Sequence, residues 1–91
     1  MDIFTRELVL RKLAIAFPDP MVASEALVAL DRYGVGASQP AVVGVHLAVI
    51  KLSEGRLWRL RELVRKAKDD FRDVLYLAQA DQKQWQAWLL A

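Results

Sequence analysis

Cysteine is absent from this chain of 91 residues, and histidine occurs once, at His46. Without cysteine no disulfide can stabilise the fold, so side-chain packing has to carry it. Each fully buried Leu, Val or Phe contributes on the order of 1.5 to 3 kcal/mol, and about a dozen are needed against chain entropy. The absence also removes the thiolate nucleophile, while the hydroxyls of Thr5, Ser24 and Ser53 have no recognisable His or Lys pairing. A lone histidine with no second His and no adjacent carboxylate reads as a helix-face or core residue, not as a metal ligand or general base. No catalytic, cofactor-binding or metal-binding residue is therefore assigned. The chain is expected to be non-enzymatic and to need no cofactor.

A secretory leader is not visible, because Asp2, Glu7, Arg11 and Lys12 interrupt the stretch where an unbroken apolar run would stand. The cytoplasm is the simplest address, with which the lack of cysteine is compatible. Hydrophobic residues make up 55% and charged residues 26%, the balance of one packed domain over 1–91 rather than of a disordered tail. Charge is unevenly spread: residues 1–33 hold four basic and five acidic groups, residues 34–50 hold none, and residues 51–73 hold eight basic and five acidic. The formal net charge of +2 thus arises from one segment, and it is modest for a nucleic-acid binder.

Five helices are expected, at roughly 3–17, 20–33, 40–53, 56–79 and 82–90. Asp2 can cap the first, and Pro18 and Pro20 stop it. Its residues Ile3, Leu10, Leu13, Ala14 and Phe17 share one face, while Phe4, Leu8 and Ile15 cluster on nearly the opposite one. Asp19 followed by Pro20 marks the start of the second helix, and Gly34 supplies a left-handed stop after Tyr33. Gly34-Val35-Gly36 has no preceding strand and no following Gly-Lys-Ser/Thr, so it is not a phosphate loop. The charge-free stretch Pro40 to Ile50 has the β-branched residues of a strand, but a Ser38 cap, its length and its helical surroundings favour a helix. Apolar nearly all round, it should be the most buried helix, and it is too short to span a bilayer.

Gly55 separates that helix from the next. Leu57, Leu60, Val64, Ala67, Phe71, Val74 and Ala78 then follow at alternating spacings of three and four, an unbroken heptad seam. The core is expected to draw on Leu13, Leu30, Leu47, Ile50, Leu57, Leu60, Val64, Phe71 and Val74. Beside the seam runs a basic stripe, Arg61, Arg65, Lys68 and Arg72. Pairs such as Glu62–Lys66, Arg65–Asp69 and Lys66–Asp70 can neutralise much of this charge within the helix. In the tail, Asp81 and Gln84 have capping-box spacing, and Trp85, Trp88 and Leu89 share a side that either folds back or meets a partner.

Two resemblances accompany these patterns. Arg32-Tyr33-Gly34, the run Leu47 to Gly55 and the run Lys68 to Leu75 resemble a group of short, all-helical bacterial proteins of uncharacterised function. The chain departs from them at Arg56, in the apolar Val42 to Val45 and in its longer first helix; the resemblance implies a helical fold and no activity. Ser38-Gln39-Pro40-Ala41-Val42 followed by His46-Leu47 is similar to the turn and recognition helix of winged helix-turn-helix repressors. A recognition helix must present polar side chains to bases and phosphates, whereas this one offers only His46 before Lys51, and a heptad helix stands where a wing would follow.

The expected fold is an all-α, single-domain bundle of four to five helices with a long helix in its C-terminal half. The expected function is a non-catalytic interaction or structural module. It would contact a protein partner or a second copy of itself through Phe4, Leu8, Ile15, Trp85 and Trp88. The alternative is a nucleic-acid-binding regulator using Arg61, Arg65, Lys68 and Arg72.

Overall fold

Residues 40–53 are short of charge and rich in β-branched side chains, so what they become decides the class of the fold. In the computed structural model, which describes residues 4–34 and 39–91, Val42–Ser53 form a helix, and no strand occurs among the described residues. The order is α1 (Arg6–Ala16), α2 (Pro20–Leu30), α3 (Val42–Ser53), α4 (Leu57–Gln79) and α5 (Gln82–Leu90). A helix that is apolar all round must be covered on every side. Val45 to Ile50 are accordingly all buried, with α3 packed chiefly on α4 and then on α1. Helix α2 lies against α4 and α1, and α5 closes on the far end of α4. The radius of gyration, 12.0 Å, is what one packed domain of this length has.

Local chemistry sets the helix ends. Thr5 Oγ1 accepts from the Leu8 amide at 3.2 Å and caps α1, which therefore begins at Arg6 rather than at residue 3; Asp2 and Ile3 lie outside the described residues. Asp19 Oδ1 accepts from the Met21 amide at 2.9 Å, with Pro20 at the first position of α2. Helix α2 stops at Leu30, short of Tyr33, because the Arg32 and Tyr33 amides bond three residues back and tighten the last turn. The Ser38 cap falls outside the described residues; Ala41, with φ of 53°, precedes α3. At the end of α3, Arg59 Nε donates to the Leu52 carbonyl at 2.9 Å and satisfies one of its orphan acceptors.

The long helix is not continuous. Asp70 has φ of −152° and ψ of 91°, and its Oδ1 accepts from the Arg72 amide at 3.1 Å. A side chain that caps the next turn competes with the helical ladder, and here it wins, kinking α4 in the middle of the heptad seam. The seam therefore packs in two parts: Leu60, Val64 and Ala67 are buried before the kink and Val74 and Ala78 after it, while Leu57 and Phe71 are only half-buried. Leu13, Leu30, Leu47 and Ile50 are core residues as expected. The core also takes Val9 and Tyr33, together with Val45 and Val49 from the helix expected to be the most buried and Trp85 from the tail that folds back.

Gly55 joins α3 to α4 at the point where the chain passes the end of α1. Its φ is +75°, and a Cβ there would stand 2.9 Å from the Ala16 carbonyl oxygen. Gly55→Ala is expected to lower the unfolding free energy by roughly 1–3 kcal/mol, since left-handed strain and the backbone clash add. Urea denaturation monitored by circular dichroism checks this, and an unchanged midpoint contradicts the close approach.

Candidate functional site: a basic groove and two buried polar groups

The residues expected to meet a partner are largely used by the fold itself. Leu8 and Trp85 are buried, so neither is available on the folded surface. Leu8 shares its face of α1 with Val9, Lys12 and Leu13, whereas Leu10 and Ala14, on the face expected to hold Leu13 and Phe17, are exposed. Trp88 is half-buried, stacked on Trp85 with ring centroids 5.7 Å apart. Phe4 and Ile15 remain exposed, but Phe4 precedes the first turn of α1 and Ile15 lies in its last. They do not form one patch. The tail folds back, with Trp85 and Leu89 buried in the core and α5 contacting α4, and Asp81 Oδ1 caps α5 by accepting from the Gln84 amide at 3.1 Å.

The basic stripe is redistributed. Arg61, Arg65 and Lys68 line a groove between α2 and α4, where Arg32, at the end of α2, joins them. Arg72 stands beyond the kink, its guanidinium 5.7 Å from the Phe71 ring, and does not line the groove. The groove has two connected ends sharing Ala29, Arg32 and Arg61: a hollow of about 240 Å³ with Ser24, Glu25 and Val28, and one of about 120 Å³ with Val64, Arg65 and Lys68. Among the described residues Arg61 alone of the four cations has an ion-pair partner, Glu25, at 3.8 Å with both side chains more than half exposed. Such a pair holds little. The expected pairs within the helix do not form; Lys66 instead reaches across the kink to Asp73 at 3.0 Å. Arg32 could not be found from the heptad pattern, since its approach to α4 is tertiary. Trp58, 57% exposed and seven residues before Arg65, lies off the seam by one position, which was its sequence signal.

Besides Ser53, whose hydroxyl donates to the Ile50 carbonyl at 2.7 Å within α3, two polar side chains are buried among the described residues. Lys12 on α1 is 4% exposed; its Nζ donates to the Trp88 carbonyl oxygen and lies 4.9 Å from the Trp88 ring centroid. That carbonyl belongs to the last turn of α5, where acceptors lack helical partners and positive charge is favoured. Burial, and secondarily Arg11, holds the Lys12 pKa below the ordinary lysine range. His46 on α3 is 2% exposed, with Nε2 2.8 Å from the Tyr33 carbonyl oxygen and Nδ1 without a partner. The bond to a carbonyl makes Nε2 the protonated nitrogen and leaves Nδ1 a bare acceptor. Tyr33 packs edge-on to the imidazole at 6.4 Å and its hydroxyl donates to the Pro40 carbonyl at 2.7 Å. His46 thus cannot reach a base edge, which removes the one polar contact that a recognition helix here would have offered. Outside, Arg6 donates twice to the Asp31 carboxylate, at 2.7 and 2.8 Å, joining α1 to the end of α2.

Burial pushes the His46 pKa down; the Tyr33 carbonyl and Asp31 oppose this and Arg6 reinforces it. The unfolded chain therefore takes up the proton first as the pH falls. The contribution is fully present above the ordinary histidine range near 6.5 and is lost as the pH drops from there toward the folded value. The unfolding free energy is expected to fall below about pH 6.5 by at most ~1.4 kcal/mol per pH unit, and His46→Gln to flatten that slope. Denaturation midpoints of both proteins between neutral and mildly acidic pH test this; parallel profiles contradict it.

Comparison with protein-family models, with curated proteins and with solved structures finds no match, so function is argued from this chain's own surface.

Proposed function

We propose that the chain is a non-catalytic binding module that holds an acidic segment of a partner protein in the groove between α2 and α4. The observation that carries this is the convergence of Arg32, Arg61, Arg65 and Lys68 on one groove with Glu25 as the only carboxylate lining it among the described residues. Like charges brought together without counter-charge repel, and an anionic partner relieves that repulsion. Arginine dominates the set, and its planar fork matches carboxylates two bonds at a time. Trp58 beside the stripe supplies the exposed aromatic surface on which interfaces concentrate binding energy. The site takes anions by charge and shape; a protein partner is favoured over nucleic acid because the groove is short and the stripe does not continue past Asp70 to Arg72.

A self-association surface through Phe4, Leu8 and Ile15 has lost its central residue to the core, and an acidic partner takes its place here. No helix among the described residues is long and apolar enough to cross a membrane.

A fluorescent oligo-glutamate peptide is expected to bind, with affinity falling as salt is raised from low to moderate concentration. Arg61→Glu with Arg65→Glu should weaken it about tenfold or more while leaving stability nearly unchanged, both side chains being exposed. A labelled duplex serves as the second arm. Duplex binding tighter than the peptide, with a salt slope equivalent to about three or four phosphates, would establish the nucleic-acid alternative. Binding of neither probe overturns the groove as a functional site.

A further inference from the structure

Sharing no lining residue with the basic groove, α1, α3 and α5 border a hollow of about 480 Å³. This lies within the range of small-molecule pockets, and its walls are mainly apolar, with Ile15, Ile50 and Trp88 among them. Its distinguishing member is Lys12, whose residue is 4% exposed and whose ammonium has only partial charges for company: the Trp88 carbonyl and the Trp88 ring. No carboxylate stands within ion-pairing distance of it among the described residues, and Arg11 next in sequence adds to the positive potential. A desolvated ammonium is costly unless fully paired, and Lys12 has three N–H donors of which one is committed to Trp88. Lys51, Glu54 and Ala91 also line the hollow, and neither Glu54 nor Ala91 pairs with the Lys12 ammonium.

We propose that this hollow binds a small amphipathic carboxylate, its head accepting from the free Lys12 N–H groups and its hydrocarbon lying against Ile15, Ile50 and Trp88. Charge alone does not select such a ligand, and neither does apolarity. An alcohol of the same chain length would leave Lys12 without its counter-charge, and a short anion such as acetate would leave the walls in water. The ligand would also tie α5 to α1, since Trp88 supplies both the carbonyl that orients Lys12 and one wall of the site. The proposal is independent of the α2–α4 groove, which shares no residue with it.

Isothermal titration of the full chain with octanoate, octanol and acetate tests it. Octanoate is expected to bind saturably with one site per chain, and octanol and acetate each about tenfold or more weaker. Lys12→Met should abolish the preference for octanoate over octanol. Because Lys12 also anchors α5, a second variant keeps the test decisive: Ile15→Glu alters a residue 63% exposed and places a carboxylate at the pocket, and it should weaken octanoate about tenfold without loss of helical signal. Equal binding of octanol and octanoate, no saturable octanoate binding, or an Ile15→Glu protein that binds octanoate like the parent would each overturn the site.

Discussion

The burial of α3 on all sides is the constraint on which the rest of this structure depends. A helix with no charged residue before Lys51 cannot lie on a surface, and the chain covers it with α4 on one side and α1 on another. Of its buried polar side chains, Ser53 donates to the Ile50 carbonyl within the helix, and His46 must find an acceptor for its Nε2–H elsewhere. The acceptor is the Tyr33 carbonyl, exposed by the tightened turn that ends α2. One buried hydrogen bond thus positions the end of α2 against α3, and the Arg6–Asp31 pair fixes the same end to α1 from outside. With α2 placed, Arg32 faces α4 and the basic groove is formed. The electrostatic character of the surface is in this sense a by-product of how the apolar helix is covered.

The remaining elements adjust to that centre. Helix α4 is long enough to run past α3, and its kink at Asp70 divides it into a portion that carries the groove and a portion that receives α5. Without the kink Arg72 would extend the stripe; with it, the cation sits over Phe71. At the other end Lys12 closes the bundle by accepting a place that an apolar side chain could have filled. It exchanges ordinary packing for a bond to the last turn of α5, and in doing so leaves a buried charge beside a hollow.

Much of the architecture was legible in the residues because its signals are local. Asp19-Pro20 starts α2, Asp81 starts α5, Gly55 separates α3 from α4, and the apolar stretch after Pro40 is helical. The kink was not legible, since a heptad pattern records which side chains face inward and is blind to a carboxylate that captures an amide two residues on. The functional surface was read only in part. Arg61, Arg65 and Lys68 follow from helical spacing, but Arg32 reaches them only through tertiary packing. Leu8 and Trp85, attractive as exposed apolar residues, are core residues because α1 presents the face bearing Val9 and Lys12 and because the tail folds back. Amphipathicity on two faces gives no rule for which face is covered.

Amide hydrogen exchange across the whole chain tests most directly whether α3 is the element on which the others depend. The account predicts that amides from Val45 to Ile50 exchange only through global unfolding and are the slowest in the protein, with α5 and the portion of α4 beyond Asp70 opening at lower free energy. Exchange of the α3 amides as fast as those of α5 would contradict it.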